Sequence, residues 1–233
     1  MKIMYTLFFV ILFSSSLTAQ LKNGKHYRII FFGDSITELG VEPKGYISLL
    51  RDSIRTLDST VELIGAGISG HKVTDLQARL ERDVLSKKPT LVVIYIGIND
   101  VWHWVLPNAK GTTKEMFEAG LKDIIGKIQT LGAQVILCTP SVIGEKNDGD
   151  NPQDAMLHEY SAISRKVAAT TNATLCDLHS AFVTYESLHN PENKKENILT
   201  NDGVHLNDNG NIFVAHEMMK IFSAMNLFSS STK

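Results

Sequence analysis

Arg28-Ile29-Ile30-Phe31-Phe32-Gly33-Asp34-Ser35 is the stretch whose reading decides the fold. A short, continuous apolar run rich in β-branched and aromatic side chains reads as a strand buried on both faces. The Gly-Asp-Ser that closes it reads as the turn into a helix. At such a junction, on the carboxyl edge of a parallel sheet, side chains are exposed and held rigidly, and the next helix's N-terminus stabilises negative charge developing nearby. A serine there is a candidate nucleophile, although Gly-Asp-Ser alone is more often just a turn.

The pattern repeats along the chain. Continuous apolar runs predict further strands near residues 60–65, 90–97, 134–139 and 173–178. Between them, apolar residues at helical spacing predict helices near 45–57, 73–86, 113–131, 154–171 and 208–226. Met116, Phe117, Gly120, Leu121, Ile124, Ile125 and Ile128 illustrate the helical period. Strands alternating with helices, without internal repeats, predict an α/β protein with a parallel sheet covered on both faces. At 233 residues and 43% hydrophobic content, the chain can bury a substantial core as one domain.

A hydroxyl needs a base, a group to orient that base, and donors for an oxyanion. Asp202-Gly203-Val204-His205 offers the first two. An acid three residues before a histidine on a turn can accept a hydrogen bond from Nδ1, fix the tautomer and leave Nε2 facing the nucleophile. Taken alone, the same residues also suit a surface turn, with Asn207 or Asp208 capping the following helix. Gly65-Ala66-Gly67-Ile68-Ser69-Gly70 follows the apolar run at 61–64, and Gly97-Ile98-Asn99-Asp100 follows Leu91-Val92-Val93-Ile94-Tyr95-Ile96. Glycine lets a backbone N–H approach a reacting carbonyl closely, and the Asn amide supplies a neutral donor.

Ser, Gly, Asn and His, in that order and each beside an expected strand end or helix start, resemble the SGNH hydrolases, or GDSL esterase/lipase family, over nearly the whole chain. The resemblance implies a flavodoxin-like three-layer α/β/α sandwich with a central parallel five-stranded sheet in the order 2-1-3-4-5. It implies Ser35 as nucleophile, His205 as general base and Asp202 as its orienter. The oxyanion hole would be formed by Ser35 N–H, Gly70 N–H and Asn99. One departure is visible. The residue five before the oxyanion glycine is often Asn in this family and is Gly65 here, so support for the neighbouring loops must come from elsewhere.

The implied activity is an exported serine esterase that cleaves carboxylic esters through an acyl-enzyme, without cofactor or metal. Short acyl groups, acetyl on a carbohydrate in particular, are the expected substrates, because no long lid or extended apolar segment suggests an interfacial lipase. Trp102-His103-Trp104 follows Asn99-Asp100 and would set an aromatic, polar-edged surface beside the oxyanion hole. His71 is a further expected rim contact. A lysophospholipase or thioesterase would need no change in the motifs, and a non-catalytic carbohydrate-binding module on the same fold is the alternative of a different class. Ser69 is a rival nucleophile by location, but it lacks the Gly-x-Ser-x-Gly frame. Asp34 and Asp100 are expected to brace loop backbone rather than to titrate in catalysis.

A net charge of −2 gives no basic footprint for nucleic acid. Lys2, the apolar Ile3 to Phe13 stretch and the segment ending Leu17-Thr18-Ala19 read as a secretory signal peptide spanning 1–19, ahead of a domain spanning 20–233. The expected destination is periplasm or medium. Leu17 fits the small-residue rule poorly, which leaves an uncleaved anchor as the alternative. No later stretch approaches the about 20 apolar residues of a membrane span. Cys138 and Cys176 fall in two successive expected strands, which leaves open that these are neighbours in the sheet. They read as free buried thiols, with a bridge as the alternative, since parallel neighbouring strands rarely present disulfide geometry. The eight histidines show no paired metal-ligand spacing. Asn147 to Pro152 resembles part of a calcium loop but lacks the distal Glu, and a solvated turn is the simpler reading.

Overall fold

The computed structural model describes residues 27–228; the expected signal peptide lies outside them. Five parallel strands, β1 (Arg28–Gly33), β2 (Glu62–Gly67), β3 (Leu91–Tyr95), β4 (Gln134–Cys138) and β5 (Thr174–Cys176), form one sheet in the order β2-β1-β3-β4-β5. The α-helices among the described residues are α1 (Ser35–Leu39), α2 (Tyr46–Leu57), α3 (Val73–Asp83), α4 (Ile98–Trp102), α5 (Lys114–Thr130), α6 (Asp154–Thr171), α7 (Leu178–His189) and α8 (Asp208–Ala224). α2 and α8 pack together on one face and α3, α5 and α6 on the other. β3 is buried along its whole length, as a strand covered on both faces must be.

The helices follow their apolar stripes and caps. In α5, Phe117, Gly120, Leu121, Ile124, Ile125 and Ile128 face the core, and Thr113 caps the N-terminus by accepting from Met116 N–H at 3.3 Å. α8 starts where Asn207 accepts from Gly210 N–H at 2.9 Å. No helix among the described residues is long and apolar enough to cross a membrane.

Strand register places the functional rim. Gly33 is level with Gly67 on one side and Tyr95 on the other, Tyr95 with Cys138, and Cys138 with Cys176. One row of residues therefore marks the carboxyl edge of the sheet, and the connections leaving that row from β1, β2 and β3 carry Ser35, Gly70 and Asn99. The two cysteines of the row are free and buried.

Two expectations are corrected here. The run 173–178 is not one strand: β5 stops at Cys176, because Asp177 caps a helix by accepting from Ser180 N–H at 3.3 Å, and α7 begins at Leu178. The 90–97 run ends as a strand at Tyr95, since Gly97, with φ of +130°, turns the chain into α4. A Cβ at Gly97 would also lie 3.1 Å from Pro140.

Candidate active site

Ser35 is the first residue of α1 and is almost wholly buried. Asp34 caps that helix, its carboxylate accepting from Ile36 N–H at 3.0 Å, which fixes the turn on which the serine is held. Ser35 Oγ lies 3.0 Å from His205 Nε2, and His205 Nδ1 lies 2.7 Å from Asp202 Oδ2. The other Asp202 oxygen accepts from Val204 N–H at 3.0 Å and His205 N–H at 2.8 Å. The aspartate thus holds both the ring and the main chain of its partner. Burial would raise the Asp202 carboxyl, but the bonds from the His205 ring and from the two amides outweigh it and hold the group below the ordinary carboxylate range. An ionised Asp202 accepts from Nδ1–H, the tautomer that turns the Nε2 lone pair toward the serine hydroxyl.

Gly70 and Asn99, the expected oxyanion donors, stand on the two neighbouring connections. Gly70 adopts φ of +77° with open space where a Cβ would stand, so its turn needs glycine for conformation and not for room. Asn99, in α4, is buried, and one of its amide hydrogens goes to the carbonyl of His71 at 3.1 Å. That bond orients the amide and leaves its second hydrogen for an acceptor. Asp100 accepts from Val73 N–H at 3.2 Å, while its carbonyl accepts from Thr112 N–H at 3.0 Å, bracing the loop as expected. Burial pushes the Asp34 carboxyl up to about 7 and that of Asp100 up to about 6.

The support that Gly65 lacks comes from two residues the sequence did not single out. A Cβ at position 65 would lie 2.2 Å from Val41 Cγ1, so a larger residue there requires Val41 to shift. Glu38, one turn beyond the serine, instead accepts from Ser69 N–H at 2.8 Å and from the Ser69 hydroxyl. That contact ties the rival serine to loop support. Arg79, buried in α3, donates to Gly33 O at 2.7 Å, Ala66 O at 2.9 Å, Asp83 at 3.0 Å and His71 Nδ1 at 3.1 Å. Its guanidinium also covers the Phe32 ring at 4.5 Å. One planar cation therefore fastens the end of β1, the end of β2 and the residue after Gly70.

The expected rim contacts separate. The Trp102 ring lies 6.5 Å from that of His205, next to the relay. Trp104, 40% exposed, donates from its indole to Thr112 O at 3.3 Å, and a Cβ at Gly111 would lie 2.3 Å from its ring. Its anchorage is the 111–112 segment. Burial first, and then the Arg79 guanidinium that donates to His71 Nδ1, lower the His71 pKa. Burial and then Lys72 lower His103 likewise. The 147–152 turn is closed by Asp154, which accepts from Gly149 N–H at 2.9 Å and Asn151 N–H at 3.0 Å.

Residues 31–211 match the model of the GDSL-like lipase/acylhydrolase family. The chain belongs to that family. It is a carboxylic ester hydrolase of the SGNH type, and the esterase is similar to an acetylxylan esterase of Geobacillus stearothermophilus, 33% identical over 178 residues covering 70% of this chain and 80% of the relative. Among solved structures it resembles the acetyl xylan esterase AlAXEase, with a TM-score of 0.81 and 48% identity over 83% of this chain and 98% of the other. It also resembles catalytic mutants of Axe2, an acetylxylan esterase from G. stearothermophilus, that replace a histidine, an aspartate or a serine by alanine. Those have a TM-score of 0.74 and 28–29% identity, over 83% of this chain and 93% of theirs.

Proposed function

We propose that the esterase removes short acyl groups, acetyl above all, from carbohydrate through an acyl-enzyme on Ser35. The observation that carries this reading is the unbroken hydrogen-bonded line from Ser35 Oγ through His205 to Asp202. His205 takes the hydroxyl proton as Ser35 attacks the ester carbonyl. The oxyanion of the tetrahedral intermediate is met by Ser35 N–H, Gly70 N–H and Asn99 Nδ2, whose bonds strengthen as charge develops. The intermediate collapses, the alcohol leaves with the proton from His205, and water repeats the sequence to release the acid.

The acetyl-carbohydrate preference is supported by similarity to acetylxylan esterases at up to 48% identity and by the Trp102 ring beside His205. We further propose that residues 20–233 act as one exported domain after removal of 1–19. The test is hydrolysis by the purified protein of acetylated xylo-oligosaccharides against p-nitrophenyl esters of graded chain length, with a fluorophosphonate probe alongside. Stoichiometric labelling at Ser35 and loss of turnover in folded Ser35→Ala are expected. Sugar binding without labelling or turnover would replace the enzyme by a binding module, and faster cleavage of long acyl chains would replace the substrate class. An exported product beginning at Gln20 checks the leader.

A further inference from the structure

Glu145 lies more than fifty residues before the acid–base motif, on the connection that follows β4, and is fully buried. Its side chain gathers three consecutive amides: Oε2 accepts from Ile198 N–H at 2.8 Å, and Oε1 accepts from Leu199 N–H at 2.5 Å and Thr200 N–H at 2.8 Å. Its own backbone is locked as well, donating to Lys195 O at 2.9 Å and accepting from Asn190 Nδ2 at 2.6 Å. Successive N–H groups converging on one acceptor form an anion-binding concavity, filled here from within by a side chain.

From that anchor the geometry runs to the relay in short steps. Thr200 Oγ1 accepts from Gly203 N–H at 2.9 Å, and Gly203 O accepts from Gly144 N–H at 2.8 Å, the residue before Glu145. Thr200 pairs with Leu206 across an antiparallel bridge, and Asn201 N–H donates to His205 O at 2.8 Å. Asp202 and His205 sit at the tip of this loop, whose base is held by Glu145. Asn207 closes the other end of the loop, its Nδ2 donating to Ile198 O at 3.3 Å and Thr200 O at 3.1 Å, and Leu199, Val204 and Leu206 are buried beneath it.

We propose that Glu145 is a positioning residue for catalysis, fixing the 198–206 loop so that the Asp202–His205 pair meets Ser35 Oγ at bonding distance. The proposal rests on the catalytic reading above. It requires that Glu145 act through Asp202 and His205, so its loss costs little once that pair is already broken. Glu145→Gln preserves shape but replaces one acceptor oxygen by an NH2 facing backbone donors.

The test is a double-mutant cycle with Asp202→Asn, read as steady-state kinetics on an acetyl ester. Glu145→Gln is expected to lower kcat about 10- to 100-fold with KM within about twofold, and to lower it no more than about threefold on the Asp202→Asn background, as residues acting in one unit do. A full kcat in folded Glu145→Gln, or losses that multiply in the double variant, would overturn the proposal. Should Glu145→Gln not fold, Thr200→Val removes the next link, Thr200 Oγ1 to Gly203, and must show the same non-multiplicative loss; multiplying losses there overturn the proposal equally. A wild-type kcat in Asp202→Asn would instead refute the catalytic reading, and this inference with it.

Discussion

Replacing Asn99 by Ala removes two things that the structure keeps on one amide. One hydrogen of Nδ2 goes to His71 O at 3.1 Å in the resting protein, and the other is the donor assigned to the oxyanion. Loss of the first leaves a carbonyl unpaired beside a side chain only 5% exposed, which costs about 1–3 kcal/mol of stability. For a protein of this size that lowers the Tm by about 2–12 °C, at about 2–4 °C per kcal/mol. Loss of the second is felt only as charge develops, so kcat should fall about 10²–10³-fold, about 2.7–4 kcal/mol of barrier, with little change in KM. The assay is steady-state kinetics on an acetyl ester at a temperature well below the variant's melt, with the melt recorded alongside. Asn99→Asp separates the contributions further: it keeps the side chain's size, removes the donor and faces the His71 carbonyl with an oxygen, so its kcat should fall at least as far. A rise in KM with kcat intact, or a kcat loss no larger than the unfolded fraction explains, would refute the oxyanion assignment and with it the reasoning from the amide's two hydrogens.

Arg79→Lys keeps the charge but reaches at most part of the Gly33, Ala66 and His71 acceptors, so kcat should fall at least tenfold on every acyl ester alike, KM little changed; a variant with a lowered melt and full kcat would make Arg79 purely a fold element. Trp102→Ala, beside His205, should raise KM unequally across acetyl and longer esters, whereas Trp104→Ala, fastened to Thr112, should lower the melt with kinetic constants near wild type; the reverse outcome in paired kinetics and melts would exchange their roles. Glu186 is buried in α7 with Oε1 unpartnered, and burial, then Glu145, Asp154 and Asp148, push its carboxyl from 4.5 up to about 9. The folded state therefore holds this proton more tightly than the unfolded chain, so the stability it contributes is complete below about pH 4.5 and is lost as pH rises toward 9. Melts of Glu186→Gln should consequently fall less between pH 5 and 8 than those of the wild type, and parallel curves would contradict the assignment.

The parts of this protein legible in its sequence are those whose residues make their own signal. β1 and β4 read as apolar runs, and α5 reads from Phe117 to Ile128, because burial on two faces or on one stripe leaves a period. α7 did not read, since Leu178-His179-Ser180-Ala181-Phe182-Val183 continues the apolar character of β5 and only the cap at Asp177 marks the boundary. α1 and α4, five residues each, are too short for a helical period to show, although both lie on the rim. At the site, Ser35, Gly70, Asn99, Asp202 and His205 were singled out by the order of their motifs and the family resemblance those carry, and the structure brings Ser35, His205 and Asp202 into one hydrogen-bonded line. Arg79 and Glu145 were not, because Glu145 works on main-chain amides and Arg79 fastens the two strand ends through main-chain carbonyls, groups that any sequence supplies. Those main-chain partners are anonymous, so no spacing announces them. Trp104 looked equivalent to Trp102 for the same reason, as two indoles two residues apart differ only in what each packs against.

The sheet order also has a consequence for how the protein comes into being. Strands are laid down with β2 and β3 flanking β1, after which β4 and then β5 extend a single edge outward. The proposed nucleophile and oxyanion donors are thus encoded within the first hundred residues, while His205, the proposed base, is 170 residues further along the chain than Ser35. A nascent polypeptide that folds from its N-terminus builds the centre of the sheet and the rim long before it can deprotonate anything. On the proposed mechanism, a chain released before residue 205 would carry Ser35 without the imidazole that stands 3.0 Å from it in the full fold.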